Sequence, residues 1–356
     1  MTREEAIAMR LSCQQLVNPR FDNPEEVVDW MGMVQAQDYS YFRWAVGMRT
    51  KNPSLKALKE SFSQGRILRV HLLRCTVQAV TPQDYVNLVS LCRESNLRAT
   101  RSWAKQIGEE YSEQYYCEGL DAVREILTGS KSFTKKEIAT RLDTLGIPSD
   151  TARVKHLLLR GEIEGLLCSG AMTGRDATWT LSEETLKGAD IQPLSPDEAV
   201  ADLARKYFRS HSPASLEDFH WWTGLPLTQC RKAIESIASE IEETLVEDQK
   251  MFIRTALRPI APLSPEVLLL PPYDEYLIGY KSRHLALDAR FEARAHNRSG
   301  NFWPVVLLGG RVVGNWRASL ERGATDISTD IFTRAGKVGV HRLEAAKASL
   351  RDFTKG

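Results

Sequence analysis

The sequence predicts an α+β chain, mainly α, in which three tandem winged-helix domains precede a C-terminal β-rich domain. Three observations carry this prediction. A capping box, Thr134 three residues before Glu137, opens a helix-turn-helix at "FTKKEIATRLDTLGI". The order helix, turn, helix, hairpin then recurs elsewhere without visible sequence identity, which favours tandem domains over a solenoid. From about Arg258 the texture changes to Pro-rich, β-branched segments such as "PEVLLLPPYDEYLIGY" and "FWPVVLLGGRVVGNWR", closed by the helical "GVHRLEAAKASLRDF".

In "DNPEEVVDWMGM", Asn23 suits an N-cap, Pro24 the first turn, and Glu25 and Glu26 the positive end, while Val27, Val28, Met31 and Val34 form an apolar stripe. A helix through "DYSYFRWAVGMR", another through "SLKALKESFSQG" and the strand-like "RILRVHLLRCTVQAV" complete a first domain over 1–118. The second, 119–190, has Ser149 or Asp150 as the cap of a helix with Val154, Leu157 and Leu158 on one side, then two strand-like runs in "CSGAMTGRDATWTL". The third, 191–258, follows a Pro-containing linker with helices in "SPASLEDFHWWTG" and "PLTQCRKAIESIASE" and a hairpin in "IEETLVEDQKMFIRTAL". The β-rich domain occupies 259–356.

Composition narrows the function classes. Forty-seven basic against forty-six acidic residues leave a formal charge of +1, so any basic surface is local. Six dispersed cysteines without a CxxC argue against a zinc site or a disulfide framework and are expected to be reduced, buried thiols. No apolar run approaches the ~18 residues of a membrane span, and the N-terminus lacks a signal-peptide core, so a cytoplasmic protein is expected.

Three clusters read as local basic faces. Arg153, His156 and Arg160 fall within about a third of a helical turn, opposite the leucines, and are expected to project together. Arg98, Arg101 and Lys105 do the same beside a diluting Glu94, and the loop "ARFEARAHNRSGNF" gathers Arg290, Arg294, His296 and Arg298. Each cluster alone reads equally well as a solvated face; together they favour DNA modestly.

Conventional catalytic sets are missing: there is no GxSxG, P-loop, GxGxxG after a strand, or HExxH, and seven scattered histidines have no ligand spacing. Asp274 and Glu275 in "PYDEYL" would face opposite ways on a strand, a poor acid/base couple and more in keeping with a structural role. What remains is "VQAQDY". Residues two apart on a helix point about 200° away from each other but share a face on extended chain, so Gln35 and Gln37 converge only where the helix ends. An amide orients water and its dipole favours a developing positive charge, enough to cleave the N-glycosidic bond of a cationic alkylated base. From spacing alone, the plainer role of satisfying a helix end fits better.

"MVQAQDY", "HLLRCTVQAVTPQDY", "SPASLEDFHWWTGLP", "LLPPYDEYLIGY" and "NFWPVVLLGGRVVGNWR", in that order over almost the whole chain, resemble the helix-turn-helix DNA glycosylase family of AlkZ and YcaQ. The resemblance implies a C-shaped clamp of three winged helices with a β-rich C-terminal part. It also implies removal of cationic alkylated purines, bulky adducts and interstrand crosslinks included, by monofunctional chemistry without metal or cofactor. In the AlkZ-like branch the catalytic motif is Gln-x-Gln. Carried over, Gln35 and Gln37 position water beneath the sugar and stabilise its charge, Ala36 sets the backbone, and Asp38 has a supporting role at most.

This chain departs from the family where many relatives read "RGTLH": it has "RCTVQ", with Cys75 for glycine and Gln78 for histidine, which bears on the lesions accepted. Arg69 and Arg74 on that hairpin are expected DNA contacts, although Arg74 would equally pair with a core carboxylate. The expected partner is duplex DNA carrying alkylated bases, bound by a monomer with no membrane involvement. The rival readings are a non-catalytic winged-helix regulator, in which the glutamines merely finish a helix, and a protein that sequesters a genotoxin.

Overall fold

Thr2 and Glu5 open the chain with a reciprocal cap, the Glu5 N–H donating to Thr2 Oγ1 at 3.2 Å and the Thr2 N–H to Glu5 Oε2 at 2.8 Å, so the Arg3–Cys13 helix begins with two of its N-terminal donors satisfied. Its buried face, Ile7 and Leu11, joins Trp44, Leu269, Val305, Val312 and Trp316 in one core. These positions belong to a computed structural model that describes residues 1–172, 176–257, 265–320, 326–332 and 339–355. The chain is mixed α and β, mainly α, with small sheets. It divides into two compact units, one of Met1–Leu58 with Val200–Gly356 and one of Lys59–Ala199.

In the first unit, the Pro24–Met31 helix buries Val27, Val28 and Met31, and the Asn23 N–H donates to Glu26 Oε2 at 3.0 Å. Gly32, at φ 79°, stops the helix in a conformation that costs glycine little, its N–H closing on the carbonyls of Val28 and Asp29. Val34 therefore does not extend the helical stripe. It lies in the short strand Val34–Gln35, buried all the same. The Tyr41–Gly47 helix follows, with Trp44 Nε1 donating to the Leu269 carbonyl at 2.8 Å.

Further along the same unit, Leu216–Thr223, Leu227–Ser236 and the hairpin Ile241–Val246/Gln249–Arg254 have the expected order of two helices and a wing. The C-terminal sheet runs Ser328–Ile331, Arg311–Arg317, Val305–Leu308, Val267–Leu270, all neighbours antiparallel, with Val305 opposite Leu270 and Gly314 opposite Ile331. The Val340–Lys355 helix buries Leu350 and Phe353, and the Phe353 ring lies 5.3 Å from that of Trp44. A Cβ on Gly47 would come within 2.5 Å of Phe353, which is why the close approach needs glycine there.

The second unit holds the hairpin Leu68–His71/Val77–Val80, the long helix Pro82–Ile107, and then Glu113–Leu127, Phe133–Thr134, Lys135–Thr144, Thr151–Ile163, Leu167–Ser169 and Thr178–Leu181. This is the element order of a winged helix, with Thr178–Leu181 pairing on one side with Phe133–Thr134 and on the other with Leu167–Ser169. The Thr134/Glu137 box forms, and Asp150 rather than Ser149 caps the next helix. Val154, Leu157 and Leu158 pack on Val123, Leu127, Ile138 and Leu181, each buried aliphatic side chain worth roughly 1.5–3 kcal/mol.

Three sequence expectations are corrected here. Asp274 and Glu275 are not strand neighbours; Asp274 caps, and Glu275 begins, the short Glu275–Ile278 helix. The segment around Arg290 is partly helical, with a turn at Ala289–Phe291 and a helix at Glu292–Ala295. Of the six free cysteines, Cys117 is exposed and Cys75 only partly covered. Part of the stretch between the two strand-like runs of "CSGAMTGRDATWTL" and the boundary at Arg258 lie outside the described residues. Among the described residues no helix is long and apolar enough to cross a membrane, and no group of three His, Cys, Asp or Glu side chains is placed to hold a metal ion.

Candidate active site in the Gln-x-Gln segment

Because Gly32 ends the helix before the motif, Gln35 enters extended backbone rather than a helical turn. Gln35 and Ala36 are buried, 5% and 0% exposed, whereas Gln37 is exposed. Asp38 is half-buried, and its Oδ1 accepts the N–H groups of Ser40 and Tyr41 at 3.0 and 3.1 Å, capping the Tyr41–Gly47 helix. The segment thus offers one amide fixed in the interior, a second at the surface two residues on, and a carboxylate engaged in capping.

What holds the buried end was not apparent in the sequence. The Gln35 N–H donates to Glu275 Oε1 at 2.7 Å, and Glu275, 3% exposed, takes Trp222 Nε1 on its other oxygen at 3.0 Å with His211 Nε2 at 3.5 Å. Burial opposes ionisation of Glu275, but His211, the Gln35 N–H and the Trp222 indole outweigh it and hold the carboxyl below its ordinary value. Burial holds His211 below its ordinary value. Next door, Asp274 accepts two hydrogen bonds from Arg49, whose guanidinium also reaches the Ala45 carbonyl at 2.7 Å and Gln14 Oε1 at 3.1 Å. Arg49, Gln14, Trp222 and His211 are residues that sequence reasoning passed over. Their only signal was polar or charged chemistry embedded in apolar surroundings.

The expected basic faces sort into engaged and exposed groups. The expectation that Arg153, His156 and Arg160 project together fails, because His156 is 3% exposed. It stacks on Trp103 at 5.0 Å, meets the edge of Tyr111 and bonds Glu109 at 2.9 Å. Arg160 bridges Glu113 at 2.8 Å and Glu164 at 2.5 Å, and Arg153 pairs with its own helix cap, Asp150. Arg101 is exposed and pairs with Glu113 at 3.1 Å, while Arg98 and Lys105 are exposed with no ion pair among the described residues. In the C-terminal domain Arg290 pairs with Asp288 and Arg294 with Asp330; Arg298 is exposed and His296 largely covered.

On the hairpin, Arg69 is half-buried, its N–H donating to Ser169 Oγ at 2.7 Å. Arg74 and Cys75 sit at the turn with φ of 59° and 53°, the left-handed region that favours glycine. Gln78 is fully buried, its amide donating to the Leu73 carbonyl and Thr76 Oγ1, both at 3.2 Å, so it ties the turn together. Burial, reinforced by Glu162, pushes the Cys75 thiol up to about 11.

Comparison with known proteins adds to this geometry. No curated protein sequence matches. Among solved structures, the Streptomyces sahachiroi DNA glycosylase AlkZ superposes with a TM-score of 0.79 at 24% identity, over 100% of this chain and 97% of that one, which establishes a shared fold. The family model described as DNA glycosylase AlkZ-like matches residues 28–353, a span that takes in Gln35, Gln37 and Glu275. The chain therefore belongs to the AlkZ-like DNA glycosylase family.

Proposed function

We propose that this glycosylase hydrolyses the bond between deoxyribose and a cationic alkylated purine, N7-alkylguanine or N3-alkyladenine, and that Gln35 and Gln37 carry the chemistry. The observation behind the reading is the asymmetry of the motif: a buried Gln35 anchored through its backbone at the end of a short strand, and an exposed Gln37 at the bend that follows. The helix before them is closed by Gly32, which weakens the reading of the glutamines as a helix end.

The leaving group already bears positive charge, so departure needs no strong acid. The protein has to place a water and favour an oxocarbenium-like sugar, and amide carbonyl dipoles serve both ends without an unpaired buried anion. In this reading Ala36 sets the spacing, Asp38 holds the following helix, and the reaction is monofunctional. A monomer binds duplex DNA through the winged-helix segments 1–118, 119–190 and 191–258 and the 259–356 domain, with Arg69, Arg74, Arg98, Lys105 and Arg298 as backbone contacts.

Base release from duplexes carrying one N7-methylguanine or one bulky N7 adduct, scored as alkali-labile sites, tests this. The native protein is expected to release base. Gln35→Ala and Gln37→Ala are expected to lose roughly 10²-fold or more while still binding DNA, the scale on which losing one polar stabilising group is felt. No release from either duplex, with sequence-preferring DNA binding intact, would mark a regulator instead.

A further inference from the structure

Two consecutive residues of the C-terminal domain bracket the Gln-x-Gln segment. Asp274, through Arg49 and the Ala45 carbonyl, holds the helix that follows the motif. Glu275 holds the motif itself, at the peptide N–H of Gln35. Both oxygens of Glu275 are engaged, and the groups around it are themselves fixed. His211 is fully buried, stacks on Tyr207 at 4.6 Å and shares a 2.8 Å hydrogen bond with Ser210 Oγ through Nδ1. Tyr207 in turn donates to the Gly279 carbonyl at 3.0 Å, closing a ring of contacts back onto the Glu275–Ile278 helix.

A carboxylate removed from water is costly, and a backbone N–H beside the motif is only one of several donors that would satisfy it. This one is directed at the residue whose side chain has to hold a water in register. We propose that Glu275 is a positioning residue for the glycosylase reaction: its buried carboxylate, oriented by the Trp222 indole, fixes the Gln35 peptide so that the Gln35 amide is preset before DNA arrives. The inference rests on the proposed role of Gln35. It assigns Glu275 no contact with substrate.

The test measures single-turnover base release and duplex Kd separately, for the full-length chain and for Glu275→Leu, Glu275→Gln and Gln35→Ala. Glu275→Leu removes the acceptor and is expected to slow release roughly 10- to 100-fold, the scale of a misplacement of about an ångström, with Kd within about twofold of native. Glu275→Gln keeps a carbonyl for the Gln35 N–H and is expected to recover most of that loss. Native-like release by Glu275→Leu, a parallel loss of rate and Kd, or no recovery with glutamine would each overturn the proposal.

Should Glu275→Leu not unfold cooperatively, Trp222→Phe carries the test. That variant removes only the indole N–H, so slowed release at unchanged Kd supports the proposal and a native rate overturns it. Gln35→Ala separates the two readings. If it keeps the native rate, the catalytic role of Gln35 is lost. If it is inactive while Glu275→Leu is not, only the present inference fails.

Discussion

Arg49 and Asp274 meet through two hydrogen bonds, 2.8 and 2.9 Å long, with side chains 0% and 1% exposed. A pair so placed is expensive to break from one side, because the surviving charge stays buried. Arg49→Met is expected to destabilise the protein by about 3–5 kcal/mol in chemical denaturation, and an effect under about 1 kcal/mol would contradict the pairing.

Acid should loosen the same region. His211 is held below its ordinary value by burial, so the folded chain declines a proton that the unfolded chain accepts below about pH 6.5. Its contribution is complete above that value and is lost as pH falls. His284 and His296, also lowered chiefly by burial, act in the same sense. The depressed Glu275 adds stability present above its unfolded value of about 4.3 and lost as pH falls through the folded one. Stability is expected to decline from pH 7 to pH 5, with the fully buried His211 contributing up to about 1.4 kcal/mol per pH unit, and His211→Asn to flatten that slope. An unchanged slope would mean that His211 takes up its proton as readily in the folded chain as in the unfolded one.

Much of the local structure was legible in the sequence. The capping box at Thr134/Glu137 and the N-cap at Asn23 stand at real helix starts, and Val27, Val28, Met31, Val154, Leu157 and Leu158 all face the interior. Such signals span three to eight residues and depend on helical geometry alone. Glu275, Asp274 and Leu269, which bond Gln35, Arg49 and Trp44, each lie more than 200 positions from them, so no window along the chain shows these contacts. The same blindness misplaced His156, whose spacing suits a surface stripe until Glu109, Trp103 and Tyr111 close over it.

That correction gives a test of the basic residues. Arg98→Ala and Lys105→Ala are expected to leave stability unchanged, weaken binding to any duplex and lower the salt dependence of log K by about 0.9 for each phosphate that is no longer neutralised. His156→Ala should instead cost about 2–4 kcal/mol of stability by emptying a covered, hydrogen-bonded site. A reversed pattern, with His156 affecting only DNA binding, would restore the surface reading.

The turn at Cys75 makes a sharper prediction than the family departure did. At φ 53° a β-branched side chain is strained, so Cys75→Val is expected to lower stability by about 1–2 kcal/mol, whereas Cys75→Gly is expected to change it by less than about 0.5 kcal/mol. Thermal melting of the two variants decides it. Equal melting temperatures would show that the turn does not hold this conformation in solution.

The unit that contains Gln35 is assembled from both extremes of the chain, residues 1–58 and 200–356. During synthesis, the intervening segment is complete while the larger part of that unit, residues 200–356, does not yet exist. The carboxylate beside the Gln35 peptide is made only 240 residues later, and the Phe353 ring against Trp44 later still. A ribosome-bound nascent chain therefore carries the glutamines long before it carries their surroundings, and the motif can reach its finished state only once the segment with Glu275 has been made.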